Sequence, residues 1–260
     1  MELSKVVVGI LPCSKMGDTE GAYNNYYKFL DIYSNKIVEL GAIPIGLIAN
    51  QERIDSEQLK LCDALLLQGG NTIEKYHYEA LIYAFKNNIP VLGICMGMQA
   101  IGIFSLILDY LDENKLNIDN FYQKYLELKQ INNGSLLKKN EIPNHGENIV
   151  NNPNVTANIN NIHTVRHKVK ILDVDSICYD IFRSKYLNVV SLHAYSLKGV
   201  GKLFKVGAYA LDNVIEEVEC IKEDYFILGV QWHPEWDDNN LLFKRLIQEA
   251  IKRKNNSYGK

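Results

Sequence analysis

The chain has 260 residues, 47% of them hydrophobic and 23% charged, enough for one large α/β domain with a sizeable core or two small ones. Its formal net charge of -3 makes no electrostatic case for nucleic acid or for an anionic membrane surface as partner. No uninterrupted apolar run approaches the ~20 residues of a membrane span, and Met1-Glu2-Leu3-Ser4-Lys5 lacks the basic-then-apolar layout of a signal peptide. The five cysteines (Cys13, Cys62, Cys95, Cys178 and Cys220) are scattered without metal-ligand or disulfide spacing, so a cytoplasmic, reducing location is expected.

Lys5 to Pro12 is a continuous β-branched run, as expected of a strand buried on both faces of a parallel sheet. A polar loop follows from Cys13 to Glu20. Tyr23 to Leu40 then carries Tyr26, Phe29, Leu30, Tyr33, Ile37 and Leu40 at helical spacing, with Gly41 at the position of a helix C-cap. Ala42 to Ala49 reads as a strand, Glu57 to Leu61 as a short helix, Asp63 to Leu67 as a strand, Thr72 to Asn88 as an amphipathic helix and Ile89 to Gly93 as a strand. This alternation predicts an α/β fold, a three-layer, doubly wound, mostly parallel sheet in a single domain over 1–260.

The fourth strand runs into Gly93-Ile94-Cys95-Met96-Gly97-Met98-Gln99, a cysteine version of the nucleophile elbow. The turn forces Cys95 into a strained backbone, and residues without Cβ let strand and helix cross closely. The helix dipole that follows points at the sulfur and favours thiolate. Gln68-Gly69-Gly70-Asn71 follows the third strand at the same sheet edge, where open α/β sheets bind ligands. Bare backbone N–H groups there, with that of Met96, suit an oxyanion hole.

Residues 109–163 break the rhythm: Leu111 to Ile131 is partly helical and Asn132 to Asn161 is dense in asparagine, a loop-rich excursion at the rim. Thr164 to Ile171 alternates as a strand, Asn188 to Ser191 is a short run, and Phe204–Ala210 and Val214–Ile221 flank Asp212-Asn213 as a hairpin. Phe226 to Gln231 is another strand, and Asp237 or Asp238 is expected to cap a last helix over Leu241 to Arg253.

The strand at Ile227 ends in Gln231-Trp232-His233-Pro234-Glu235. A thiol nucleophile needs a base near neutrality and a carboxylate to orient it, and His233 and Glu235 stand on one side of the strand end. A lone His-x-Glu is ordinarily a surface pair; a strand-end His-Pro-Glu joined to a strand-end Gly-x-Cys-x-Gly argues for a site.

Gly93–Gln99 and Gly229–Glu235 resemble the signatures of class I glutamine amidotransferase domains, with their flavodoxin-like architecture. More narrowly, the chain resembles the γ-glutamyl-γ-aminobutyrate hydrolase-like branch, peptidase family C26. Val189-Val190-Ser191-Leu192-His193 is similar to its V-N-S-x-H segment, Ala208–Glu216 to its A-x-A-x-D-G-x-x-E hairpin, and His163-x3-His167-x-Val169 to its H-x-x-x-H-x-V segment. The resemblance implies Cys95 as nucleophile, His233 as general base and acid, Glu235 as its orienting group, and the backbone N–H groups of Gly70 and Met96 as oxyanion hole. It also implies Gly69, Gln99, Ser191, Leu192 and His193 around a small γ-glutamyl substrate, with neither cofactor nor metal. The reaction implied is attack on a γ-glutamyl amide, release of the amine and hydrolysis of a γ-glutamyl thioester.

The departures lie on the leaving-group side. Met96 stands where the branch often has arginine, Val190 replaces asparagine, Tyr195 stands where glutamine is usual, and Gly102 to Leu111 lacks the usual motif. The identity of the released amine therefore does not carry over. A glutaminase subunit feeding ammonia to a synthetase, and a non-catalytic binding module, are the alternatives on this fold. His163 and His167 at i, i+4 make a poor metal pair without an acidic or cysteine partner nearby. The tyrosines from Tyr23 to Tyr33 read as packing surface, and Trp232 and Trp236 as pocket wall or packing. A homodimer is compatible with the sequence, which identifies no interface.

Overall fold

The computed structural model describes residues 5–13, 15–16, 26–50, 53–132, 134–139 and 165–258. The first half comprises β1 (Val7–Leu11), β2 (Lys15–Met16), β3 (Tyr26–Tyr27), α1 (Asp31–Glu39), β4 (Ile43–Gly46), β5 (Ala49–Asn50), β6 (Arg53–Ile54), α2 (Ser56–Lys60), β7 (Ala64–Leu67), α3 (Lys75–Asn87), β8 (Val91–Ile94) and α4 (Met96–Glu113). Then come α5 (Phe121–Ile131), β9 (Leu137–Lys139), β10 (Arg166–Ile171), α6 (Ile177–Phe182), β11 (Tyr186–Val190), β12 (Tyr195–Leu197), β13 (Phe204–Ala210), β14 (Ile215–Cys220), β15 (Ile227–Val230) and α7 (Leu241–Tyr258).

A nine-stranded sheet with the order β11-β10-β13-β14-β15-β8-β7-β1-β4 forms the middle layer. The strands from β4 through β1, β7 and β8 to β15 are parallel, and β14, β13, β10 and β11 extend the sheet antiparallel. The parallel strands are apolar on both faces because both are covered. On one face Tyr33 and Ile37 of α1 and Leu242, Phe243 and Leu246 of α7 pack on Val8, Leu66, Leu92 and Leu228. On the other, Leu81 and Ala84 of α3 and Ile101, Phe104 and Ile107 of α4 pack on Leu11, Leu65, Leu67 and Val91. The alternation of Leu65 and Leu67 against Ala64 and Leu66 is the period of two that splits one strand between two cores. The three-layer α/β expectation is met.

Three local readings need correction. The helix expected from Tyr23 begins only at Asp31, and Tyr26–Tyr27 pairs antiparallel with Lys15–Met16. Long-range bonds outweigh the local period here: Cys13 donates to the Lys28 carbonyl at 2.9 Å and Leu30 donates to Gln68 Oε1 at 2.9 Å, drawing the chain out alongside β1. Asp237 does not cap the last helix; it pairs with Arg166 at 2.7 Å, and the Asn240 carbonyl instead accepts the first-turn N–H of Lys244 at 2.8 Å. The excursion after α4 carries α5 and β9, and β9 pairs antiparallel with β12, Lys139 opposite Tyr195. Residues 140–164, the bulk of the asparagine-rich stretch, lie outside the described residues.

Candidate active site

β8 delivers Cys95 to the sheet edge with φ 52 and ψ -106, a conformation that residues with a Cβ rarely adopt. The elbow's glycines are required by contact. A Cβ on Gly93 would sit 2.6 Å from the Gly97 carbonyl carbon, and one on Gly97 would sit 2.3 Å from the Leu67 carbonyl oxygen. Cys95 N–H bonds the Val230 carbonyl at 2.8 Å, so the neighbouring strand fixes the turn. The sulfur is nearly buried at the head of α4 and lies 3.9 Å from the Leu192 carbonyl oxygen.

β15 lies parallel to β8 with Val230 in register with Ile94, so the chain leaving β15 emerges beside Cys95. His233 is pinned by its N–H to the Val190 carbonyl at 2.9 Å, and Pro234 opens a single 3-10 turn that turns Glu235 back. His233 Nδ1 and Glu235 Oε1 are 2.6 Å apart and buried. Burial opposes charging His233, but the Glu235 carboxylate and the adjacent Cys95 outweigh it and hold the imidazole pKa well above its ordinary value. Nε2 makes no hydrogen bond among the described residues.

A third group completes this pair. The Tyr33 hydroxyl, fully buried on α1, donates to the same Glu235 oxygen at 2.7 Å and accepts the Gly69 N–H at 3.1 Å. Burial, reinforced by Glu235, pushes the Tyr33 pKa well up, so the phenol stays protonated. Gly69 is itself tight against the pair: a Cβ there would meet the His233 ring at 3.0 Å and Cys95 Cβ at 3.5 Å. Because the Gly69 N–H is committed to Tyr33, the neighbouring Gly70 N–H is the donor left for a ligand. Gly70 abuts Cys13, whose carbonyl oxygen would be 2.5 Å from a Cβ. Met96 opens α4, and its N–H is one of the orphan donors of a helix start.

Ser191, Leu192 and His193 form the turn facing the sulfur. Ser191 is held by its N–H to Val165, and its hydroxyl is buried without a hydrogen-bond partner among the described residues. Gln99 directs its side-chain nitrogen to the Tyr195 carbonyl at 2.8 Å and to Gln231 Oε1 at 3.1 Å, tying α4 to the start of β12. Trp232 is buried against Phe182 with ring centroids 6.4 Å apart, and so is packing. His163 lies outside the described residues, while the His167 ring turns to Glu216. Sequence reasoning passed over Tyr33 and Gln68. Gln68 spans from Leu30 N–H to the Leu11 carbonyl at 2.6 Å and braces the Gly69 turn.

A mostly parallel α/β sheet with a cysteine elbow and a strand-end His-Pro-Glu at one edge defines the glutamine amidotransferase-like class. The chain belongs to the Peptidase C26 family, which matches residues 6–81 and 127–235. That match includes His233 and Glu235 and leaves the Cys95 elbow in the gap between its two segments. A glutamine amidotransferase-like protein of Rickettsia prowazekii is 26% identical over 95% of this chain and 98% of its own. The γ-glutamyl-γ-aminobutyrate hydrolase PuuD of Escherichia coli is 23% identical over 96% of this chain and 93% of its own. The CTP synthase of Flavobacterium psychrophilum is 31% identical over 76% of this chain, a match covering 36% of that enzyme. The solved glutaminase domain of Trypanosoma brucei CTP synthase with bound acivicin shares the fold at TM-score 0.60 and 17% identity, covering 95% of this chain and 94% of its own. Among the described residues, no helix is long and apolar enough to cross a membrane.

Proposed function

We propose that this protein hydrolyses γ-glutamyl amides through a cysteinyl thioester. The observation that carries the reading is the strained elbow cysteine beside a buried His233–Glu235 pair whose Nε2 has no other hydrogen-bond partner among the described residues. Cys95 Sγ attacks the amide carbonyl carbon after passing its proton to His233. The Gly70 and Met96 N–H groups receive the oxyanion. The raised imidazole pKa suits His233 to keep that proton until the departing amine nitrogen takes it as the C–N bond breaks. Water, deprotonated by the same imidazole, then attacks the thioester and releases glutamate and the Cys95 thiol. Glu235 holds the ring and Tyr33 holds Glu235.

Purified protein incubated with γ-glutamyl amines, short γ-glutamyl peptides and glutamine should release glutamate from at least one of them, and Cys95→Ala should abolish release while circular dichroism stays unchanged. No turnover of any, together with no covalent labelling of Cys95 by a glutamine-analogue electrophile, rejects the enzyme. Activity on glutamine that appears only with a synthetase partner points instead to an ammonia-supplying subunit.

A further inference from the structure

Glu216 lies on β14 with no solvent exposure, and both of its carboxylate oxygens face histidines. Oε1 is 3.5 Å from His193 Nε2, and Oε2 is 3.5 Å from His167 Nε2 on β10. The two imidazoles meet edge to face with centroids 6.4 Å apart. The other nitrogen of His193, Nδ1, is 3.0 Å from the Tyr195 carbonyl. A carbonyl only accepts, so that nitrogen carries a hydrogen. His193 Nε2 and Glu216 Oε1 then share one proton, as imidazolium and carboxylate or as imidazole and carboxylic acid. In either form the contact is charge-assisted or proton-sharing within a dry site, and it is directional.

This cluster is wired to the candidate site at several points. The Tyr195 carbonyl that orients His193 also accepts from Gln99 in the first turns of α4. The Glu216 carbonyl accepts the Gln231 N–H at 2.8 Å, two residues before His233. His193 closes the turn whose Leu192 carbonyl stands 3.9 Å from the Cys95 sulfur. Glu216 therefore holds, from behind the sheet edge, the wall that faces the nucleophile. It touches neither Cys95 nor His233. The arrangement parallels the Glu235–His233 pair, but it is aimed at a turn and not at the sulfur.

We infer that Glu216, shared between His167 and His193, is a positioning residue that sets the Ser191–Leu192–His193 turn to receive the α-amino-acid head of the substrate. The inference rests on the γ-glutamyl reading of the site. Removing the carboxylate charge frees His193 to rotate about its Tyr195 bond and loosens the turn, whereas the elbow and the Glu235–His233 pair keep their own supports. The loss falls on recognition of the amino-acid head and leaves the reactivity of the sulfur.

The test labels Cys95 with two electrophiles, 6-diazo-5-oxo-L-norleucine, which carries an α-amino-acid head, and iodoacetamide, which carries none. In Glu216→Gln the rate constant for the diazo reagent should fall at least ~10-fold while that for iodoacetamide stays within about twofold. With γ-glutamyl-p-nitroanilide, KM should rise at least ~10-fold and kcat change by less than about threefold. His167→Gln, at the more open end of the cluster, should shift the same ratio in the same direction and serves as the readout if Glu216→Gln does not fold. An unchanged diazo rate in the folded variant overturns the proposal, as does a parallel fall in both rates with melting temperature. A wild type labelled selectively by the diazo reagent but hydrolysing no γ-glutamyl amide removes the hydrolase and leaves the positioning role. Hydrolysis by the wild type with an unaltered variant does the reverse. A wild type with no preference for the diazo reagent overturns both.

Discussion

The Tyr33 hydroxyl and the His233 ring share one oxygen, Glu235 Oε1, at 2.7 Å and 2.6 Å. Two donors on one acceptor fix the carboxylate more firmly than the imidazole alone. Tyr33→Phe removes one of them and strands the buried Gly69 N–H, which had bonded the hydroxyl. A net hydrogen bond of about 1 kcal/mol predicts a roughly fivefold fall in kcat through a less well oriented imidazole. The orphaned N–H predicts a further stability loss of about 1–3 kcal/mol. Steady-state kinetics and urea denaturation check both, and a variant with wild-type kcat and midpoint would refute this role for Tyr33.

Tyr33 also marks where sequence reading stops. Its helical spacing with Ile37 and Leu40 is visible and correctly places it facing the core, but its partner Glu235 is 202 positions away. No local pattern distinguishes a tyrosine packed in a core from one that holds a catalytic carboxylate. The parallel half of the fold was legible because buried strands are continuous apolar runs and the helices between them repeat at 3.6. The elbow was legible because its glycines answer to contacts within a few residues and to the adjacent strand. Asn213, at φ 67 in the turn between β13 and β14, was legible from its tolerance of that conformation. β14 was only half legible. Ile215-Glu216-Glu217-Val218-Glu219-Cys220 reads as a strand with a wet face, yet all six residues are buried. The acidic residues are matched by histidines and a lysine from other strands, and sequence cannot show that pairing. The start of α1 was misread for the same reason, since Gln68 and Lys28 hold Leu30 and Cys13 across the fold.

The elbow predicts an unequal response to two glycine-to-alanine changes. The Cβ of Gly97→Ala would lie 2.3 Å from the backbone oxygen of Leu67, which cannot move without shifting β7. The Cβ of Gly102→Ala, one turn further along α4, would lie 2.3 Å from a terminal methyl of Leu197, which can rotate away. Overpacking against backbone predicts a loss of about 3 kcal/mol or no folding for Gly97→Ala, against about 1 kcal/mol for Gly102→Ala. Chemical denaturation of both variants measures the difference, and equal losses would count against the contact argument.

Strain at Cys95 has its own signature. At φ 52 and ψ -106 any Cβ-bearing residue is held in a conformation costing on the order of 1–3 kcal/mol. Cys95→Gly relieves that strain and loses about 0.4–1 kcal/mol through the greater freedom of the unfolded chain. Cys95→Gly should therefore be more stable than Cys95→Ala by about 1 kcal/mol, although both lack the sulfur. Thermal denaturation of the two inactive proteins side by side tests this. An alanine variant as stable as the glycine one would mean that the elbow stores no strain.

On the opposite face of β14 from Glu216, Glu217 is fully buried and neither carboxylate oxygen has a hydrogen-bond partner among the described residues. It fits only because Gly207 on β13 lacks a side chain: a Cβ there would come 1.8 Å from Glu217 Oε2. Glu219, next on the same face, accepts from Lys205 at 2.9 Å and from the Ile177 N–H at 2.6 Å. Burial first, and the neighbouring Glu219 second, push the Glu217 pKa well above the ordinary carboxyl range. Glu217 is therefore a neutral acid in the folded protein and an ionised one in the unfolded chain above a pH of about 4.3. The folded state then binds a proton that the unfolded state has released, so this group's contribution is fully present below pH ~4 and declines as pH rises toward the folded pKa. Glu217→Gln abolishes the titration while keeping shape. The variant should gain on the wild type by about 1.4 kcal/mol for each pH unit between the unfolded and folded pKa values. Denaturation midpoints of the two proteins, compared from pH 4.5 to 8, should diverge steadily in favour of the variant. Parallel curves would show that Glu217 ionises alike in both states and that the dry face of β14 holds a charge.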